Sequence, residues 1–251
     1  MPDYTPQEAL ERRFRLARRY RRAKRRAARL LDRPVGHFAD VSMHQETVRV
    51  KEYAREYELI AVKVTEGRTY TDPDAPKRIE RTIEVFDAEG LIVLPYHFAR
   101  PDNGNPPEAE ARHAVSTCRE LGLRLGERRR RPWKRSELPL ALDFEVSAPD
   151  AHAWVGSFVA EYRRLTGQRP IIYGYGDSLR PIGTDYGCPV WIAAYAVSWK
   201  PHAPHWADEV IAWQHTDGTS GPGPHRLAGI PTNHDVNEFF GSTRELLRLA
   251  T

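Results

Sequence analysis

Cysteine and methionine are scarce in this chain of 251 residues, two of each. Cys118 and Cys188 cannot build a disulfide framework, and neither stands in metal-ligand spacing. They read as buried free thiols of a chain that folds in a reducing compartment. No apolar run approaches 18 residues, which excludes a transmembrane helix. The first 33 residues hold no apolar stretch of the kind a secretory leader needs. Lysine is also rare, 6 residues against 32 arginines. No internal repeat of 20–50 residues is visible, so a solenoid or propeller is not expected.

Apolar residues make up 40% and charged residues 29%, enough for a sizeable core and too apolar for global disorder. The net charge of +4 is unevenly spread. Residues 1–33 carry 12 Arg/Lys against 4 Asp/Glu, and the remainder 26 against 30. A basic arm therefore precedes a mildly acidic body, and a uniformly basic nucleic-acid-binding domain is disfavoured.

Two units follow from this, a basic helical arm over 1–35 and a body over 36–251. In the arm, Thr5-Pro6-Gln7-Glu8 has the form of a helix start, with Thr5 as N-cap and Glu8 closing a capping box. Apolar residues then recur at helical spacing to Leu31, and Asp32-Arg33-Pro34 ends the pattern. This predicts a helix of about 25 residues, about 38 Å long. Its thin, Ala-rich stripe is flanked by cations from Arg12 to Arg29. Three roles fit: packing on the body, an electrostatic anchor for anionic wall polymer or membrane, and nucleic-acid binding, the last disfavoured.

In the body, short apolar runs alternate with helical patterns. Candidate strands are His37–Val41, Leu59–Val64, Leu91–Phe98, Leu138–Val146, Arg169–Tyr175, Pro189–Tyr195, Val210–His215 and Asn233–Phe239. Helical patterns fill about 47–57, 75–89, 106–122 and 149–166. Later connections are rich in Gly, Pro and His. Such alternation predicts an α/β fold whose parallel sheet closes as a barrel, regular first and degenerate later. A basic loop, 124–137, precedes the fourth strand.

Functional residues of such a barrel gather at the C-terminal ends of its strands. Asp40, Glu66, Asp143, Glu145 and Asp235 all fall at strand ends in this reading. Asp143 and Glu145 are two apart on a strand, so both point inward, with Cα atoms about 6.6 Å apart. Close carboxylates repel, and one of them keeps its proton. An acid beside an ionised partner is what glycoside hydrolysis uses. Tyr96, Tyr173, Tyr175, Trp191, Tyr195 and Trp213 lie near the same ends, where aromatic rings suit the apolar faces of sugars. His202, His205 and Asp208 are loosely spaced and close no coordination shell, so neither a metal nor another cofactor is expected.

These motifs have a family order. Asp40-Val-Ser, Val62-Lys-Val-Thr-Glu66-Gly67, Leu94-Pro-Tyr96-His97-Phe98, Leu142-Asp143-Phe-Glu145, Pro170-Ile-Ile-Tyr173, Val190-Trp191-Ile-Ala-Ala-Tyr195, Trp213-Gln214-His-Thr216 and Asp235-Val-Asn237-Glu-Phe239 follow one another over about 205 residues. In this the chain from Gly36 to Gly241 resembles the glycoside hydrolase family 25 lysozymes, the Chalaropsis-type N-acetylmuramidases. It departs at Met43-His44, where the family has an aromatic and a polar residue, and at His215, where Tyr is commoner.

The resemblance implies a distorted (β/α)5(β)3 barrel and hydrolysis of the β-1,4 bond between N-acetylmuramic acid and N-acetylglucosamine in peptidoglycan, without a metal. It implies Glu145 as general acid, Asp143 as partner carboxylate, and Asp40 and Asp235 as the other acids of the site. Glu66, Tyr96 and Trp213 match groups lining the groove. The implied reaction is retaining, with the partner carboxylate acting either as nucleophile or by orienting the substrate's N-acetyl group. A phage endolysin is the expected role: synthesis in the host cytoplasm, then passage to the wall through a holin pore. Two alternatives remain, a glycosidase for another aminosugar polymer such as chitin, and a non-enzymatic barrel that binds glycan or polyanion.

Overall fold

The computed structural model describes residues 32–126 and 137–249. The expected arm helix, and most of the basic loop 124–137, lie outside the described residues.

Eight strands close a barrel: β1 (Pro34–Val41), β2 (Leu59–Glu66), β4 (Ile92–Phe98), β5 (Ala141–Asp143), β6 (Ile171–Tyr175), β7 (Val190–Ala193), β8 (Val210–Thr216) and β9 (Asp235–Ser242). A two-residue strand, β3 (Tyr70–Thr71), hairpins onto the end of β2. Helices α1 (Val50–Tyr53), α2 (Ala75–Glu89), α3 (Pro107–Glu120), α4 (Ala151–Thr166) and α5 (Gly176–Leu179) follow the first five barrel strands. After β7 and β8 the connections are irregular, and α6 (Thr243–Arg248) ends the described chain. This is the distorted barrel that the alternation predicts.

The sheet is not wholly parallel. β9 runs antiparallel to both neighbours, β8 and β1. A parallel return needs a crossover to the far end of the sheet. The loop from Asp217 to His234 instead stays at the end where β8 finishes, so β9 starts there and runs back.

Three elements are shorter than their apolar runs. The fourth candidate strand, Leu138–Val146, contracts to Ala141–Asp143. Pro139 has no N–H for the ladder, so Glu137 pairs with Val93 only as an isolated bridge before the strand. Pro170 likewise delays β6 to Ile171. The expected helix near 47–57 is a single turn, α1. There Tyr53 is drawn inward, its hydroxyl accepting from the Ala39 N–H at 2.8 Å and donating to the Leu59 carbonyl at 2.7 Å.

The strand alternation divides the core in two. Outward residues such as Val62, Val93, Leu142, Phe144 and Ile192 pack against the helices. α4 answers with Val155, Phe158, Val159 and Tyr162, one face of a 3.6-residue period. Its ends are set by Asp150, whose carboxylate accepts from the Ala153 N–H, and by Gly167 at φ 71°. Inward residues including Phe38, Leu59, Ile92, Leu138, Ile171 and Phe239 fill the lower lumen, and α6 closes it with Leu246 and Leu247. The void left among them is about 10 Å³, hardly the space one water needs.

Candidate active site

The upper lumen is built differently. An opening of about 220 Å³ is lined by Asp40, Asp143, Glu145 and Asp235, with Lys63, His44, Ser42, Tyr96, Phe98, Tyr173 and Trp191. Asp40 sits near the end of β1 and Asp143 at the end of β5. Glu145 follows two residues beyond, where the ladder has stopped, while Phe144 between them packs outward against Trp154. Asp235 reaches the same mouth from the other direction. It is the first residue of the reversed β9, directly opposite Asp40 in the register. The expectation that all these acids sit at strand C-termini fails for Asp235, yet the position is met because the strand runs backwards.

Two amides organise Asp40. Tyr173 and Tyr195 both donate to Gln214 Oε1, at 2.9 and 2.8 Å. That turns the Gln214 amide nitrogen onto Asp40 Oδ2 at 3.1 Å. Asn237 donates to the same oxygen at 2.7 Å and accepts from the Trp191 indole at 2.9 Å. Gln214 and Asn237 are the residues that sequence reading missed. The signal for Asn237 was its place two residues from Asp235, on the same face of the strand; Gln214 stands next to Trp213, on the opposite face from it.

Burial is the main electrostatic fact. It pushes Asp143 well above the usual carboxylate range, and the charge of Glu145 adds to this. Glu145 is raised to about 6, by burial first and then by Asp40. Asp235 is raised to about 9 by burial and by its contact with Asp40. Asp40 is also raised by burial, but its two amide donors favour its ionised form. The site therefore retains protons through neutral pH. Asp143 Oδ1 is buried and has no hydrogen-bond partner among the described residues.

A second cavity, about 450 Å³, shares Glu145 and is walled by Tyr175, Tyr195, Arg180 and His202. Tyr175 donates to the Glu145 carbonyl at 2.9 Å and fixes the chain there. Behind it, Gly174 lets the chain pass close, since a Cβ there would stand 2.7 Å from the Phe144 carbonyl oxygen. Glu145 thus borders both hollows.

Two expected groove residues are placed otherwise. Trp213 lines neither hollow. It pairs with the outward Ile192, packs on the helix-side core, and donates to the Ala194 carbonyl at 2.7 Å. Strand alternation gives the inward place to its neighbour Gln214. Glu66 is spent on ion pairs, with Lys63 Nζ and with Arg100, both at 2.7 Å. Tyr96, Tyr173 and Trp191 line the acid opening, and Tyr195 the larger hollow.

Comparison with known proteins adds the decisive observation. The sequence profile of Glycosyl hydrolases family 25 matches residues 39–224. The chain belongs to glycosyl hydrolase family 25. The match runs from the strand carrying Asp40 to the loop before Asp235, so three of the four acids lie within it. The chain is 28% identical over 192 residues to the autolytic lysozyme of Clostridium acetobutylicum, covering 72% of this chain and 48% of that one. It thus spans about half the length of this curated relative. Among solved structures, the bacterial lysozyme from Streptomyces coelicolor superposes with a TM-score of 0.68 at 25% identity, covering 85% of this chain and 96% of that one. A family 25 lysozyme from Aspergillus fumigatus gives 0.64 at 26% identity, covering 86% and 99%. The family 25 barrel is thus shared by bacterial and fungal lysozymes.

Proposed function

We propose that this chain is an N-acetylmuramidase that hydrolyses the β-1,4 bond between N-acetylmuramic acid and N-acetylglucosamine in peptidoglycan. Glu145 is the proton donor. The observation that carries this is its position: it is raised to about 6 and it alone of the four acids borders both hollows. A glycan that occupied both hollows would pass it. Asp143, buried two residues before Glu145, acts as the partner carboxylate. Its unpaired Oδ1 is an acceptor suited to the N–H of a substrate N-acetyl group, which orients that group beside the anomeric carbon. Asp40 and Asp235, sharing a proton, support the developing positive charge.

Mass spectrometry of digested peptidoglycan tests the reading. New reducing ends on N-acetylmuramic acid are expected. Reducing ends on N-acetylglucosamine, cut peptides, or faster turnover of chitin would each overturn it.

The proposed setting is that of a phage endolysin, made in the host cytoplasm and released to the wall through a holin pore. Both thiols are buried and unpaired, and burial pushes Cys188 up to about 12, which suits a chain matured in a reducing compartment. The arm, with its cations from Arg12 to Arg29, would hold the enzyme on anionic wall polymer or membrane by charge. Removing residues 1–31 should weaken sedimentation with purified walls at low salt and change little at high salt.

A further inference from the structure

β2 carries an irregularity at the edge of the acid site. Lys63 pairs with Tyr96 on β4, but the next pairing is Thr65 with His97, so one residue is extra. In a regular strand, residues three apart face opposite ways. The extra residue cancels one alternation. Val64 packs in the helix-side core. Thr65 follows it outward, bonded to the buried His97 at 2.9 Å. Lys63 and Glu66 are thereby returned to the same side, where Lys63 Nζ meets Glu66 Oε2 at 2.7 Å.

Glu66 is itself held. Its other oxygen accepts from Arg100 at 2.7 Å. Arg100 is fixed by Asp102, which takes Nε and a terminal nitrogen at 2.9 Å each. The Arg100 backbone N–H donates to the fully buried Glu110 on α3 at 3.1 Å. Lys63 also lies 4.7 Å above the Phe98 ring. Its ammonium is therefore restrained from below and from one side. Among the described residues it forms an ion pair only with Glu66, although it lines the opening with Asp143 and Glu145.

We propose that Lys63 is an electrostatic positioning residue of hydrolysis: the Glu66–Arg100 clamp holds its ammonium beside Asp143 and Glu145 without pairing it to either, and so sets the upper pH limit of activity. The inference rests on the muramidase reading. Lys63 faces Asp40 on β1, His44 beyond it, Tyr96 on β4, Asp143 and Glu145 on and after β5, Tyr173 on β6 and Asp235 on β9. On its own strand it faces Glu66, and His97 lies on the opposite face of the sheet. Among the described residues Lys63 is the one lysine or arginine lining that opening, so its position sets how readily the acid pair loses its proton. Free to swing, it would pair with Glu145 or Asp143 and strip the proton needed for the leaving group. Absent, it would leave the proton bound to higher pH.

The test is the alkaline limb of kcat/KM, which reports the free enzyme, measured on peptidoglycan fragments with the full chain. Lys63→Met should move the limb upward, and Glu66→Gln should move it downward, each by about one pH unit. Lys63→Arg should stay near the parent. Thermal unfolding of each variant checks folding, and if Lys63→Met does not fold, the downward shift of Glu66→Gln is required by itself. Limbs that stay in place while activity falls uniformly, or that move in the same direction, overturn the inference. An unaltered chain that releases no reducing N-acetylmuramic acid ends overturns the muramidase reading instead.

Discussion

The two ends of one barrel lumen are filled by opposite chemistry. At the lower end Phe38, Leu59, Ile92, Ile171 and Leu246 are essentially fully buried and apolar. At the upper end the next inward positions, two residues beyond Phe38 on β1 and beyond Ala141 on β5, are carboxylates, Asp40 held by two amides. The lower end gains free energy from apolar burial, roughly 25 cal/mol for each Å² removed from water. The upper end loses it, because buried acids resist ionisation. The fold can carry four poorly solvated carboxyl groups because stabilisation is concentrated elsewhere in the same lumen. Substitutions at the two ends should therefore separate activity from stability.

Glu145→Gln is the largest expected effect and belongs wholly to the upper end. Losing the proposed proton donor should lower kcat a hundredfold or more, with the melting temperature unchanged or raised. Activity above a tenth of the parent's would sink the assignment. Because the acid must be protonated, parent activity should fall as pH rises through about 6, the value to which burial lifts Glu145.

Leu246→Ala is the counterpart at the lower end. It removes a fully buried side chain from the helix that plugs the lumen. A loss of about 2–5 kcal/mol in denaturant unfolding is expected. Turnover per folded molecule should stay near the parent's at low temperature. Equal damage to turnover would mean that the two ends are coupled.

This division explains what could be read from the sequence. Strand–helix alternation is a local pattern and appears in the structure as read; the Asp143-Phe144-Glu145 spacing brings both acids to the opening, although Glu145 lies beyond the end of β5. What was not legible depends on pairing between distant segments. The reversal of β9 cannot be seen in Asp235-Val-Asn-Glu-Phe itself, since a strand's pattern is the same in both directions. The extra residue in β2 shows only against β4. For Trp213 and Gln214, one step in register decides which side chain faces the lumen, and the bulky aromatic drew attention away from the amide. Trp213 was matched to the groove, and Gln214 is the residue bound to Asp40.

Asp235→Asn should produce a smaller, pH-dependent effect that sharpens the contrast. Asp235 is raised from its ordinary 3.8 to about 9. Below pH 4 the carboxyl is protonated folded or unfolded, and the parent keeps its full stability. Between about 4 and 9 the unfolded chain ionises while the folded chain does not, so the parent loses stability as pH rises. The variant lacks this loss. Its melting temperature should match the parent's near pH 4 and exceed it at pH 8, by about 2–4 °C for each kcal/mol recovered. Identical curves at both pH values would show that Asp235 ionises freely in the folded chain.

Ser242→Ala should have the smallest effect, and it tests how the lower plug is fastened. Ser242 caps α6: its hydroxyl and backbone N–H both donate to Glu245 Oε2 at 2.8 Å, and the Glu245 N–H points back at the hydroxyl at 3.4 Å. The same helix start clips the chain entering β1, since the Thr243 N–H donates to the Arg33 carbonyl at 3.0 Å and Arg244 binds Asp32 at 2.9 Å. Loss of the serine cap should cost about 1 kcal/mol in denaturant unfolding. The sign of its pH dependence is opposite to that of Asp235. Bonds from Ser242 hold Glu245 below its ordinary value, so the stability they supply is present above the unfolded value near 4.5 and fades as the solution is acidified. The difference between parent and variant should therefore shrink at low pH, while the difference between parent and Asp235→Asn shrinks there because the parent recovers. A Ser242→Ala deficit that did not shrink on acidification would mean that the cap works through the Glu245 N–H bond to the hydroxyl and not through the Glu245 carboxylate. The lower end would then be fastened mainly by Leu246 and Leu247.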